Sequence, residues 1–348
     1  MRTHRAIAFV VGMGLLAGAA AAANAYRELR SFRDTAFGTP SEKVIEIPPG
    51  AGPRQVLRLL ARGGVLADER LASRYVRWLK RDRRPMKAGE YAFAGALRPD
   101  DVLEKVYRGD VKTYRVTIPE GVRMDEIAAL LQDAGLARAS DLEALMHDAS
   151  FAHQLGVPFD NLEGFLFPDT YTFTRSTRPR AMLTAMVARF DQEWRKADAD
   201  RLPGIDLDEK QAVTLASIVE KETGRADERA HISCVFHNRL KRGMRLQTDP
   251  TVMYATMLRL GHWSQNISKA DLQAAHPYNT YTVAGLPPGP IANPGAAALR
   301  AAVHQSECRD LFFVSRNDGS HVFCPDLQCH EAAVRKWQVE FFRAHRGR

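Results

Sequence analysis

Cysteine is scarce: Cys234, Cys308, Cys324 and Cys329 are the only four in 348 residues, and no two lie at Cys-x-x-Cys spacing. A disulfide-built scaffold is thereby excluded. Cys324, Cys329 and His330 with His321 are near one another, but their spacing fits no common zinc site, so neither a metal nor a cofactor is expected. Aromatic residues make up 8% and no basic run is interleaved with them, which argues against a nucleic-acid partner. Charge is not one-sided either: 49 Lys and Arg stand against 41 Asp and Glu, a formal +8 that suits an anionic partner without naming one. With 45% hydrophobic residues the chain can bury a sizeable core, enough for two or three folded units.

Long apolar runs are equally rare, and the one present stands at the start. Arg2 and Arg5 precede residues 6–23, which carry no charge, and Arg27, Arg30 and Arg33 come after them. As a helix the run spans about 27 Å, close to a bilayer core of about 30 Å. Residues 1–25 are therefore expected to be a transmembrane anchor; the alternative is a secretory signal, with Ala23-Asn24-Ala25 as small residues around a cleavage point. Both readings export the remainder of the chain. Residues 26–42, with Gly38, Pro40 and Ser41 and no sustained apolar period, are expected to be a tether.

An internal repeat comes next. Ile47-Pro48-Pro49-Gly50 lies 71 positions before Ile118-Pro119-Glu120-Gly121, and the same offset pairs Val56 with Ile127, Leu60 with Leu131 and Gly64 with Gly135. The shared unit reads as strand, Pro/Gly turn, amphipathic helix and glycine stop. Between the copies, helices are expected over residues 69–81 and 98–107 and a strand over 89–93. The order strand, helix, helix, strand is that of a LysM-like module, assigned to residues 43–112. Arg74, Arg77, Lys80, Arg81, Arg83, Arg84 and Lys87 form the densest positive stretch, either a solvated face or a contact with anionic phospholipid or polymer.

From about residue 139 the chain turns more helical, with a β-hairpin predicted from 311–315 and 321–324 around Asn317-Asp318-Gly319. The fold class is therefore α+β: an N-terminal transmembrane helix, a LysM-like α/β module, then a mixed, largely helical domain with a C-terminal β-hairpin. A helix over 206–224 is expected to open with Asp206 and Glu209 as a capping-box variant. It carries two carboxylates. Glu220 shares a face with Ala212, Ala216, Val219 and Thr223, whereas Glu222 lies about 200° around it beside Leu215 and Ile218, so only one can enter a given cleft. A carboxyl on a largely apolar helix is desolvated and its pKa raised, as a proton donor to a glycosidic oxygen requires. Downstream, Gln247-Thr248-Asp249 with Tyr254, then Tyr278-Asn279-Thr280-Tyr281, supply the amides, hydroxyls and aromatic faces that a sugar site uses. By themselves such runs are also ordinary caps and turns.

Taken in order, Ser217-Ile218-Val219-Glu220-Lys221-Glu222-Thr223, Gly243 to Val252, Tyr278 to Tyr281 and Gly285-Leu286-Pro287-Pro288-Gly289 closely resemble the endolytic murein transglycosylases, the YceG-like family. Glu163-Gly164-Phe165-Leu166-Phe167-Pro168-Asp169-Thr170-Tyr171 matches too. The resemblance covers nearly all of the chain after the tether and makes residues 113–348 the catalytic domain. It implies an inner-membrane, single-pass enzyme facing the periplasm that cuts the bond between N-acetylmuramic acid and N-acetylglucosamine within peptidoglycan strands, leaving a 1,6-anhydro end. It places the catalytic carboxyl on Glu220; Gln247, Thr248, Asp249, Tyr254, Tyr278, Asn279, Thr280, Tyr281, Glu163 and Tyr171 are the expected substrate-binding residues. The implied partners are the glycan strand, the lipid bilayer and the wall-synthesis machinery. A hydrolytic muramidase, with Asp249 as second acid, and a non-catalytic glycan-binding scaffold are the rivals. The cysteines lie outside the resemblance: hairpin geometry favours Cys308 with Cys329, then Cys308 with Cys324, and leaves Cys234 as a small core residue.

Overall fold

Both glycine-stopped helices expected from the repeat form in the computed structural model, which describes residues 2–264 and 266–345. They fall in different units. The first unit takes in the chain up to Tyr114 with Thr174–Ser176; the second comprises Arg115–Phe173 and Thr177–Arg348.

In the first unit, β1 (Lys43–Ile47) pairs antiparallel with β2 (Gly89–Phe93), Lys43 opposite Phe93 and Ile47 opposite Gly89. Helices α1 (Arg2–Asp34), α2 (Pro53–Arg62), α3 (Glu69–Arg74) and α4 (Pro99–Arg108) pack with this hairpin around Ile47, Val56, Leu60, Tyr91, Val102 and Val106. Two expectations change. Residues 26–34 are not a tether: α1 runs on to Asp34, and Leu29 and Phe32 are buried in this core, Phe32 lying 5.8 Å from the Tyr75 ring. Only two apolar side chains, three positions apart, make that contact, too few to show as a period. The helix expected over 69–81 breaks into α3 and a π-helical turn, Tyr75–Lys80, which ends where Arg81 takes φ 49°. Of the basic stretch, Arg84 pairs with Asp82 and Glu104, and Lys80 with Asp100.

Among the described residues no helix is both long and apolar enough to cross a membrane. The anchor expected over 1–25 begins in side chains, those of residues 1–8 and 10, that lie outside the described residues. Beyond them, Phe9, Leu15 and Leu16 of α1 are exposed.

The second copy of the repeat opens the second unit. Strand β3 (Tyr114–Thr117) pairs with β4 (Thr170–Phe173), and between them run α5 (Met124–Asp133), α6 (Ala139–Met146) and α7 (Ala149–Gln154). The two copies share their helix stops bond for bond. Gly64 and Gly135 take φ 72° and 68°; Val65 N–H donates to Leu60 O, and Leu136 N–H to Leu131 O. Such a stop needs a left-handed residue, which glycine adopts without strain.

The rest is helical, in α8 (Pro179–Ala199), α9 (Glu209–Glu222), α10 (Arg229–Lys241), α11 (Asp249–Leu260), α12 (Lys269–Gln273) and α13 (Ala296–Val303). Helix α9 is central: every residue from Ala212 to Val219 is buried. Its capping box sits two residues later than expected, on Asp208 and Gln211, because Arg201 donates to the carbonyls of Ile205 and Leu207 and holds that segment outside the helix.

The predicted hairpin forms as β5 (Phe312–Ser315) and β6 (His321–Cys324), continuing into α14 (Leu327–Val334), a π-helical turn and α15 (Phe341–His345). The disulfides differ from both favoured pairings: Cys234 bonds Cys308 and Cys324 bonds Cys329. The hairpin extrapolation fails because α14 starts right after β6. Its cap, Asp326, accepts from Cys329 N–H at 2.8 Å and folds Cys329 back over Cys324. Cys308 instead lies against α10, where Asn238 donates to the Cys308 and Asp310 carbonyls.

Candidate active site

The two carboxylates at the end of α9 have separate surroundings. Glu220 is enclosed, its side chain 5% exposed, and both oxygens are engaged. Arg229 Nη2 donates to Oε1 at 3.0 Å, and Gly295 N–H, at the N-cap of α13, donates to Oε2 at 3.0 Å. The turn of the second repeat copy closes over the pair: Arg229 also reaches Glu120, and Lys221 Nζ donates to Gly121 O at 3.0 Å. A Cβ on Gly295 would overlap Glu120 Oε1, so glycine is what lets that carboxylate approach. Burial raises the Glu220 pKa, opposed by the Gly295 N–H and the Arg229 cation. This is a buried ion pair that also caps a helix.

Glu222 lines a cavity of about 450 Å³ together with Arg239, Leu246, Gln247, Asp249, Tyr281, Phe312, Phe313, Leu327 and His330. Burial pushes its pKa up to about 7; the Asp249 carboxylate adds to the rise, and the Thr248 hydroxyl and Arg239 oppose it. The carboxyl is thus half protonated near neutrality while facing a cavity. Thr248, at the N-cap of α11, donates its hydroxyl to Glu222 and its N–H to Thr280 Oγ1. Asp249 accepts from the Tyr281 hydroxyl at 2.7 Å. Arg239 frames the base, donating to the carbonyls of Leu311, Arg245 and Leu246.

Of the residues expected at a sugar site, the structure brings Gln247, Asp249 and Tyr281 to this cavity, with Thr248 and Thr280 behind them. The others lie elsewhere. Glu163 is buried in a polar knot, accepting from Met124 N–H, Asn293 Nδ2 and the Tyr254 hydroxyl, and burial pushes its pKa up to about 8. Tyr278 packs on Tyr254 with ring centroids 5.0 Å apart. Asn279 is fully buried and spends its amide on the carbonyls of Asp271, Leu272 and Ala274. Tyr171 donates to Phe167 O and stacks on Phe173. Glu220, taken as the reactive carboxyl, is the ion-paired one.

Sequence reasoning missed the wall made by Phe312, Phe313, Leu327 and His330, and weighed Glu222 without choosing it. The available signal was the Gln247-Thr248-Asp249 run: whichever carboxylate it faces is the one in the cavity. Among the described residues one His/Cys/Asp group lies within metal-ligand distance, His231, Cys308 and Asp310, but the Cys308 sulfur is bonded to Cys234 and His231 bonds Asp310 directly.

A carboxyl that burial pushes up to about 7, in a cavity lined by amide, carboxylate and aromatic groups, has the properties that a general acid and base requires. The chain belongs to the YceG-like family, whose model matches residues 45–336. It is 30% identical over 309 residues to the endolytic murein transglycosylase of Bacillus subtilis strain 168, covering 84% of each chain. To the protein of that name in Streptococcus pneumoniae serotype 2 it is 28% identical over 322 residues, 83% of this chain and 57% of the relative. A crystal structure of a YceG-like protein from Listeria monocytogenes matches with a TM-score of 0.57 and 31% identity, over 84% of this chain and 99% of that one. The Bacillus subtilis and Streptococcus pneumoniae relatives bear the name of a lyase-class enzyme.

Proposed function

We propose that the chain is an endolytic lytic transglycosylase of peptidoglycan and that Glu222, not Glu220, is its acid and base. The observation that carries this reading is a Glu222 carboxyl with its pKa pushed up to about 7 in a cavity shared with Gln247, Asp249 and Tyr281. Protonated Glu222 gives its proton to the oxygen linking N-acetylmuramic acid to N-acetylglucosamine, and the glycosidic bond breaks. The resulting carboxylate then takes the proton of the muramic O6 hydroxyl as O6 bonds C1, so Glu222 ends protonated and the product is a 1,6-anhydro ring. Gln247 and Asp249 hold sugar hydroxyls, and the Tyr281 ring offers an apolar face.

A second reading, a hydrolytic muramidase, is favoured by one observation: Asp249 shares the cavity with Glu222 and accepts from Tyr281. A second carboxylate there suits activation of water. Mass spectrometry of digested cell wall decides: 1,6-anhydro ends, one water lighter than ordinary reducing ends, support the lyase, and ordinary ends support the hydrolase.

The proposed setting is the outer face of the inner membrane, beside the wall-synthesis machinery. Its support is the charge-free run of residues 6–23 with exposed Phe9, Leu15 and Leu16, and two disulfides that suit an oxidising compartment. The first unit, ordered strand, helix, helix, strand, is proposed to be the LysM-like glycan-contacting module. Fractionation of the tagged full chain, with protease protection of its C-terminus, tests the anchor.

A further inference from the structure

We propose that His330 binds the glycan in the Glu222 cavity, its imidazole hydrogen-bonding a hydroxyl or N-acetyl group of the sugar; this rests on the reading of Glu222 as the acid and base. His330 comes from the first turns of α14, an element that the catalytic reading does not use. Three contacts fix it there: the Asp326 cap, the Cys324–Cys329 disulfide next to it, and a stack on Phe312 with ring centroids 4.8 Å apart. The ring lines the cavity, yet its Nδ1 is buried and has no hydrogen-bond partner among the described residues. Buried ring nitrogens are rarely left so, and one at a cavity wall is satisfied by what enters the cavity.

The neighbouring groups sharpen this. Glu222 receives the Thr248 hydroxyl, Asp249 receives Tyr281, and Arg239 is spent on three backbone carbonyls. On the wall of Phe312, Phe313 and Leu327, His330 is the polar group. Burial and the nearby Arg239 cation hold its pKa below the ordinary histidine value, so the ring stays neutral and offers one donor and one acceptor. An apolar wall bearing one uncommitted hydrogen-bonding group is what a pyranose face with its ring substituents requires.

The test compares His330→Ala and His330→Asn with the parent, reading kcat and KM on isolated glycan strands. Affinity for glycan fragments is read in a Glu222→Gln background. His330→Ala is expected to weaken affinity roughly tenfold, the loss of one hydrogen bond in a closed site, and Asn, which keeps a donor and an acceptor near the Nδ1 position, to restore most of it. Should His330→Ala fail to fold, His330→Phe, which keeps the stack on Phe312, takes its place. Parent-like affinity in the Ala or Phe variant, or an Asn variant no better than Ala, overturns the assignment. Cleavage surviving in Glu222→Gln alone would overturn the reading of the site instead.

Discussion

The two copies of the strand–turn–helix repeat have the same backbone and different fates. In the first unit the turn Pro48-Pro49-Gly50 joins β1 to α2, and Pro49 and Gly50 are exposed or nearly so. In the second, Pro119-Glu120-Gly121 packs on the end of α9, where Glu120 shares Arg229 with Glu220 and Gly121 lies against both Glu220 and Lys221. Local structure is thus repeated without repeating chemistry. What differs is the neighbour, and one residue, glutamate in place of the first copy's second proline, fits that neighbour.

The charge environments differ in parallel. In the first unit the shifted carboxyls, Asp34, Asp82, Asp100 and Glu104, all move down, held by Arg33, Arg84 and Lys80. In the second, burial moves Glu163, Glu220 and Glu222 up. Basic partners hold acids down in both units, Asp169 and Asp200 among those of the second, but only the second also has interior acids pushed up by burial, one of them at a cavity.

The sharpest way to break this contrast is at α9 itself. Glu222→Gln is expected to lower cleavage of isolated glycan strands by about 10²- to 10⁴-fold, the usual contribution of a general acid. Glu220→Gln is expected to cut at a rate near the parent's while melting at a lower temperature. Reversed results would return the chemistry to Glu220.

Next in size is the ion pair. Arg229→Met leaves Glu220 buried without its cation and is expected to destabilise the second unit by about 3 kcal/mol in urea unfolding. Replacing Arg84, itself exposed in the first unit, is expected to cost far less. Equal losses would mean that the Glu220–Arg229 pair is no more desolvated than a surface one.

The pH response separates the units with a defined sign. Glu222 and Glu163 have native pKa values of about 7 and about 8 against ordinary values of 4.5, so the native state binds more protons. Their contribution to stability is complete below about pH 4.5 and is lost as pH rises through 7 and 8. Cleavage falls over the same rise as Glu222 loses its proton. In the first unit the depressed carboxyls act the other way, losing stability only as pH falls through the acidic range toward about 2. Tryptophan fluorescence melts from pH 5 to 8 check this, using Trp78 for the first unit and Trp194 and Trp263 for the second; a flat profile for the second unit would contradict it.

The smallest effect is a matched pair. Gly50→Ala and Gly121→Ala, at φ 79° and 73°, are each expected to destabilise by about 1 kcal/mol, because the cause is the left-handed backbone they share. A much larger loss at Gly121, read by the same melts, would show that its packing on Glu220 matters beyond the turn.

Much of the fold was legible because local rules set it. Prolines at first turns start α2, α4 and α8, and the paired glycines end α2 and α5. Where the reading slipped, distant contacts had overruled a local signal. Arg201 moved the start of α9, burial of Leu29 and Phe32 extended α1, and the early start of α14 redirected Cys329. The site was half legible for the same reason: Gln247, Asp249 and Tyr281 reach the cavity, while Tyr254, Tyr278 and Asn279, equally suggestive as residue types, are packing and scaffold.

By itself the sequence determined the α+β class, the repeat, the hairpin and the presence of two carboxylates about 200° apart on one buried helix, because periodicity, caps and turn chemistry act within a few residues. Spacing alone left the two equivalent, and the resemblance put the chemistry on Glu220. Their surroundings came from the tertiary structure: Arg229 and Gly295 close on Glu220, while Thr248, Asp249 and the hairpin wall form a cavity at Glu222. A pKa and a cavity are made by neighbours tens of residues away in the chain, and only the tertiary structure brings them together.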